Sequence, residues 1–333
     1  MNIVIKLPDN IRDRVLVFPF LHALNKHLKQ KMKDEENEDE LINIHLISLK
    51  EGIDVLNLLP FEAYYHELEL IDIKNVFSMH RACVNLKLDK IDIFVSTTES
   101  FTDATIGKNI GAKIKIGYSI SKNSLLLNKK VSLLGGEHKS VQSLELLKAF
   151  DLKNTGSNKV YSRSVDPLFS DWRENPYTVL NIDLINKKPN PEWIDFLSLY
   201  SGKTFILMCD QVDTITQKDI LEDFIKELPK ENQYKMFILE SYIDFAKLIS
   251  FCITFISNNS PLMQFSSYCG AHVFYLNKSE DMKIVGPEYF LGDVRNFSLK
   301  DPSFKSGSTF NYGKIFDEIF PYIDSRSKSE DNA

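Results

Sequence analysis

Two polar clusters stand where an α/β protein does chemistry. Ser257-Asn258-Asn259-Ser260 follows a β-branched apolar run, Ile253–Ile256, and Pro261 comes next, where a helix tolerates proline at its first position. Met263, Phe265 and Tyr268 carry a helix to Cys269-Gly270, a stop signal, and His272–Leu276 is a second strand. The unpaired backbone N–H groups of such a turn suit a phosphate. The same residues also make an ordinary helix cap, and both readings stand. The second cluster centres on Asp13, just after the strand Asn2–Leu7 and in the first turn of a helix. A carboxylate there can take a proton from a substrate, or merely complement the helix dipole. Lys113, Lys115, Lys122, Lys129 and Lys130 make a basic stretch in a chain of net charge −6, either a solvated face or a contact for an anionic acceptor or lipid surface.

The elements that position these residues alternate. Val15, Phe18, Leu21, Leu24 and Leu28 recur at helical spacing over Ile11–Gln30. Strands are expected at Leu41–Ile47, Leu68–Ile73, Ile91–Ser96 and Gly111–Gly117, with helices at Val76–Leu88, Phe101–Ile110 and His138–Phe150. The polar stretch Asp151–Pro176 marks a boundary, giving domains at 1–158 and 159–333. The rhythm restarts at Tyr177–Ile182, with Trp193 packing the following helix into its core. Strand–helix alternation implies parallel sheets covered on both faces, an α/β fold of two Rossmann-like halves with a cleft between their carboxyl edges. The last helix is expected at Lys314–Phe320, ended or kinked by Pro321 and free to pack back on the first domain, with Asp324–Ala333 a frayed tail.

Bulk properties and missing motifs exclude several classes. The negative charge argues against a nucleic-acid binder, and no apolar run reaches the roughly 20 residues of a membrane helix. The four cysteines are widely spaced, histidines form no zinc pattern, and no signal peptide is expected, so the expectation is a cytoplasmic chain with free thiols and no metal. GxGxxG, GxxxxGK[ST], GxSxG and a DxD triplet after a strand are all missing. Asp34–Glu40 is an acidic solvated loop.

Four stretches together resemble the ADP-heptose:lipopolysaccharide heptosyltransferase family, glycosyltransferase family 9. They are MNIVIKLPDNIRDRVLVFPFLHAL, IGAKIKIGYS with HKSVQSLELLKAFDL, NKKPNPEWIDFL, and LISFCITFISNNSPLMQFSSYCGAHVFYLN with VGP. The resemblance implies the GT-B fold, two Rossmann-like domains facing each other across a cleft. It implies inverting, metal-independent transfer of a sugar from a nucleotide-diphosphate donor such as ADP-heptose, as substrate rather than cofactor. The implied acceptor is an anionic glycolipid or glycan, and a monomer with peripheral contact to the inner membrane is expected. By the same resemblance Asp13 is the catalytic base. Lys187, Lys188, Asn259, Ser260 and Gln264 hold the donor, and Arg12, Thr98, Lys113 and Lys115 serve the acceptor. The chain departs from the family at Arg12, where a glycine stands, at Asn259-Ser260-Pro261 for Asp-Ser/Thr-Gly, and at Gln264 for a histidine. Pro261 brings no N–H to a phosphate. These departures imply either a changed substrate or a catalytically inactive protein that binds a nucleotide sugar or a partner.

Overall fold

The computed structural model describes residues 1–34, 41–119, 125–133, 135–152, 160–210, 213–258, 260–277, 282–286, 294–307 and 309–329. The chain divides into two compact units, Met1–Val160 with Met282–Tyr289, and Tyr161–Asp281 with Phe290–Ala333. The first break falls two residues from the expected 158/159 boundary.

In the first unit the elements run β1 (Asn2–Lys6), α1 (Ile11–Leu16), α2 (Phe18–Asp34), β2 (Asn43–Leu49), β3 (Tyr64–Leu68), α3 (Val76–Asn85), β4 (Ile93–Ser96), α4 (Phe101–Asn109), β5 (Ile114–Tyr118), β6 (Lys129–Val131) and α5 (Lys139–Glu145). Among the described residues the strands form one parallel sheet in the order β3-β2-β1-β4-β5-β6. The order reverses between β1 and β4, the switch point where doubly wound sheets bind ligands. Val4, Ile47, Met79, Phe94 and Ile106 are buried together in one core cluster.

Three local expectations shift. The single helix over Ile11–Gln30 is two helices, because Pro19 has no N–H and its ring opposes the carbonyl four residues back. The third strand lies at 64–68 rather than 68–73: an edge strand needs only one apolar face, so Tyr64-Tyr65-His66-Glu67-Leu68 pairs while Leu70 and Ile71 are exposed. β6, an edge strand beginning with two lysines, carries too little apolar signal to read from sequence.

The second unit contains β7 (Tyr177–Asn181), the hairpin β8 (Leu184–Ile185) and β9 (Lys188–Pro189), α6 (Glu192–Ser198), β10 (Thr204–Met208), α7 (Thr214–Glu227), β11 (Gln233–Met236), α8 (Tyr242–Ile249), β12 (Thr254–Ser257), α9 (Ser260–Tyr268) and β13 (Val273–Asn277). The short α10 (Met282–Val285) belongs to the first unit; β14 (Val294–Ser298), the ladder β15 (Lys305–Ser306) with β16 (Thr309–Phe310), and α11 (Tyr312–Ser329) complete the second. Its main sheet is parallel, in the order β11-β10-β7-β12-β13-β14, with the switch between β7 and β12.

The last helix is longer than the sequence suggests. It runs on through Pro321 to Ser329 and belongs to the second unit. Ile315, Phe316, Ile319 and Ile323 are buried against Trp193 and Phe196. Burying each contributes about 1.5–3 kcal/mol, which outweighs the ~3 kcal/mol a helical proline costs. The segment α10 with Gly286 belongs to the first unit, where His138 Nε2 lies 2.8 Å from the Gly286 carbonyl.

Gly107 on α4 is where helix and sheet approach most closely. A Cβ there would lie 2.3 Å from Phe94 Cδ1. Gly107→Ala should therefore destabilise the protein by roughly 1–3 kcal/mol through overpacking, despite its better helix propensity, as read by urea unfolding against wild type.

Candidate active site

The carboxyl ends of β1 and β4 are fastened together. Thr97 donates its hydroxyl to the Lys6 carbonyl at 2.7 Å. Lys6 is fully buried, and its ammonium donates to Asp9 Oδ1 at 2.7 Å and lies 3.7 Å from Asp103 Oδ1. Asp103 in turn accepts the Thr98 hydroxyl. Burial pushes the Asp103 carboxyl up, against the opposing pull of Lys6 and Thr98.

Above this floor the turn after β1 is shaped by Arg14, which has no exposed surface. Its guanidinium donates to the carbonyls of Pro8 (3.3 Å), Asp9 (2.9 Å), Glu51 (3.0 Å) and Gly52 (2.8 Å). It thus joins the β1–α1 turn to the loop after β2. The Asn10 side chain caps α1 by accepting the Asp13 N–H at 2.8 Å, and donates back to Asp13 Oδ2 at 3.0 Å. Asp13 is therefore aimed by its own cap.

Asp13 lines a cavity of about 210 Å³ with Thr98, Glu99, Tyr118, Lys139 and Gln142. Arg12 Nε donates to its Oδ1 at 3.1 Å, and Lys139 Nζ donates to its Oδ2 at 2.8 Å. Burial alone pushes the Asp13 carboxyl up; the hydrogen bonds from Asn10 and Lys139, with the charges of Lys139 and Arg12, reverse this and hold it below the usual carboxylate range. The group is an ionised carboxylate in a half-enclosed cavity, the state a general base needs. Tyr118 is pushed up by burial and by the charges of Glu99 and Glu145, so its phenol stays protonated.

Asp13, Arg12 and Thr98 thus come together. Thr98 lines the cavity, but its hydroxyl donates to Asp103 and accepts the Ser100 N–H. Lys113 and Lys115 are not brought to this site. Both sit toward the amino end of the sheet, Lys113 paired with Asp92 at 2.8 Å and Lys115 donating to the Ala112 carbonyl. Lys129 likewise donates to the Ala149 carbonyl and Asp151, and Lys122 lies outside the described residues. Sequence reading missed Lys139. Its only signal was its place beside His138 at a helix start, in a stretch already quoted for the resemblance.

In the second unit Lys187 and Lys188 are carried by the β8–β9 hairpin, whose turn residues Asn186 and Lys187 have φ of 52° and 64°. Both lysines are exposed on a cavity of about 800 Å³, shared with Asp223, Phe224 and Glu227 of α7. Gln264 is buried on α9; Asn259 and the Ser260 side chain lie outside the described residues. Trp193 is core, as expected, and does more. Its indole N–H donates to buried Asp183 at 2.7 Å, and the Tyr312 hydroxyl donates to the same carboxylate at 2.9 Å, which anchors the base of the hairpin. At the β7–β12 switch point the Asn181 amide donates to Ser257 Oγ (3.0 Å) and Asp210 Oδ1 (2.9 Å). Asn181 and Asp210 carried no sequence motif.

Two parallel Rossmann-like units of this topology make a GT-B fold. No family model matches the sequence, and neither does any curated protein. Solved structures do match over nearly the whole chain. Escherichia coli ADP-heptose lps heptosyltransferase II superposes with a TM-score of 0.71 at 14% identity, covering 98% of this chain and all of that one. The glycosyl transferase family 9 structure from Veillonella parvula gives 0.70 at 14% identity, over 97% of both chains. Escherichia coli heptosyltransferase WaaC, solved with ADP, gives 0.67 at 13%, over 98% and 99%. At these identities the likeness is one of fold. No helix among the described residues is long and apolar enough to cross a membrane.

Two outcomes test this geometry. Arg14→Met removes four carbonyl contacts and should destabilise the protein by roughly 3 kcal/mol in chemical unfolding, with Arg14→Lys recovering only part, because one ammonium cannot serve both loops. His138 is buried with its proton on Nε2, and burial pushes its pKa down to about 4 from an ordinary 6.5. The native state then binds fewer protons than the unfolded chain between those values, so stability falls as pH drops from about 6.5 toward 4. His138→Asn keeps a cap residue and removes the titration. Its deficit against wild type should be largest at pH 8 and shrink toward pH 4 in unfolding measured across that range.

Proposed function

We propose that the protein is a glycosyltransferase of the family 9 kind, transferring a sugar with inversion from a nucleotide-diphosphate donor to a hydroxyl of an anionic glycolipid or glycan. The observation that carries this reading is Asp13, an ionised carboxylate in a cavity at the switch point of a sheet whose fold is shared with heptosyltransferases. Asp13 accepts the acceptor's hydroxyl proton as that oxygen attacks the sugar's anomeric carbon. The bond from that carbon to the donor's diphosphate breaks on the opposite face, and the diphosphate leaves with the electron pair. Lys188, with Lys187 beside it, offers positive charge to that leaving group in place of a metal. Their hairpin rises from the carboxyl end of β7, and α9 starts at the end of neighbouring β12, where its first N–H groups suit the same anion. ADP-heptose is the first donor to try, since the heptosyltransferase structures bind ADP and an ADP-heptose analogue. On this reading the reaction runs in the cytoplasm, at the inner membrane's inner face, where a lipid-linked acceptor would be met.

A thermal-shift panel of ADP-heptose, ADP-glucose, UDP-glucose and UDP-N-acetylglucosamine comes first, then transfer by wild type and Asp13→Ala with the stabilising donor. Asp13→Ala should bind donor equally and lose at least about 100-fold in transfer rate. An equal rate in Asp13→Ala sinks the base assignment. Stabilisation without turnover by wild type favours an inactive binder, and no stabilisation by any donor favours a protein-binding scaffold.

A further inference from the structure

We propose that Lys139 is the positioning residue of the Asp13 base: it fixes the orientation of the carboxylate and holds it ionised while its own ammonium stays out of the bond-making steps. This rests on the reading of Asp13 as the proton acceptor.

The geometry separates Lys139 from the other groups on Asp13. Asn10 and Arg12 belong to the same turn as Asp13 and move with it. Lys139 comes from α5, 126 residues further along the chain, and reaches Oδ2 at 2.8 Å. It therefore fixes the carboxylate relative to the opposite wall of the cavity. Its own base is rigid. His138 caps α5, with Nδ1 accepting the Ser140 N–H (3.2 Å) and Nε2 donating to the Gly286 carbonyl. Ser143, one turn on, donates chiefly to the Ser140 carbonyl at 2.7 Å and lies buried 3.3 Å from the Leu16 carbonyl at the end of α1. Lys139 thus stands on a capped helix packed against the helix that carries Asp13.

Charge points the same way. The groups facing Asp13 are Arg12 on its own helix, Lys139 from α5, Glu99 from the turn after β4 and Tyr118 from β5. Glu99 is acidic and Tyr118 keeps its proton, so among the described residues lining this cavity or bonded to Asp13 the cations are Lys139 and Arg12. Burial opposes ionisation of Asp13, and Lys139 acts against it both as a hydrogen-bond donor and as a charge. Among the described residues Oδ2 takes two donors and Oδ1 takes one, so Oδ1 is the oxygen with room for an acceptor hydroxyl.

The test reads the carboxyl directly. Full-length protein labelled at aspartate 13Cγ is titrated by NMR, with the Asp13 resonance assigned by its loss in Asp13→Asn. Wild type and Lys139→Arg should titrate below the ordinary aspartate range, and Lys139→Met should titrate at higher pH. The acid limb of kcat/KM for transfer from the donor found above should move the same way, with kcat/KM at pH 7.5 down about tenfold in Lys139→Met and restored in Lys139→Arg. An Asp13 titration unmoved in Lys139→Met overturns the proposal, whatever the activity. If Asp13→Asn transfers sugar as fast as wild type, the base reading has failed and the positioning role with it. Loss of transfer in Asp13→Asn with an unshifted Lys139→Met profile overturns the Lys139 role alone.

Discussion

One buried arginine organises the first unit. Arg14 offers a planar cation with five donors, and four backbone carbonyls from the two loops it joins accept from it. A buried cation that draws on so many backbone dipoles leaves little freedom to the chain supplying them. The turn from Pro8 to Asn10 is therefore set by the loop after β2, and through Asn10 it sets Asp13. Asp13 is aimed by a hydrogen-bond chain that starts at the end of the neighbouring strand β2, rather than by the short α1 helix on which it sits.

The electrostatic design follows from that placement. Charged groups gather at the β1–β4 switch point: Lys6, Asp9 and Asp103 below, Arg12, Asp13, Glu99 and Lys139 above. The lower set is a satisfied network that closes the sheet's end, with Lys6 between two carboxylates. The upper set opens on the cavity and leaves an ionised carboxylate accessible. Separating a closed ionic floor from an open ionic wall satisfies the strand-end polarity without drawing the Asp13 carboxylate into it.

What was legible in the sequence follows from how local each signal is. The doubly wound architecture rests on periodicity repeated over many elements, so misplacing β3 by four residues or missing β6 did not disturb it. Gly270, expected as a helix stop, has φ +84° and ends α9, because such a stop is decided within one turn. Pro321 misled for the opposite reason: its local cost is outweighed by Ile315, Phe316, Ile319 and Ile323 packing on an α6 core more than a hundred residues away in the chain. Asp13 was legible because strand, turn and first-turn acid are contiguous. Lys139 was not, since its meaning lies in a contact across 126 residues. The lysines of the GAKIKIG stretch misdirect in the same way: their charge is plain in the sequence, but whether they stand at the carboxyl or amino end of a strand depends on where β5 begins.

In the second unit the switch point is held by side chains from several strands. The strand ends at its switch point are tied by Asn181, which reaches Ser257 on one side and Asp210 on the other, spanning β12, β7 and β10. Beside them Asp183 accepts donors from Trp193 and Tyr312, so the root of the lysine hairpin is fixed by a core helix and the last helix together. Pro261 and Gln264 stand on α9, which starts from the end of β12, and that strand end is tied to β7 by the Asn181–Ser257 hydrogen bond. The start of α9 is therefore positioned by the core of the sheet, and its surface residues can vary without the fold depending on them.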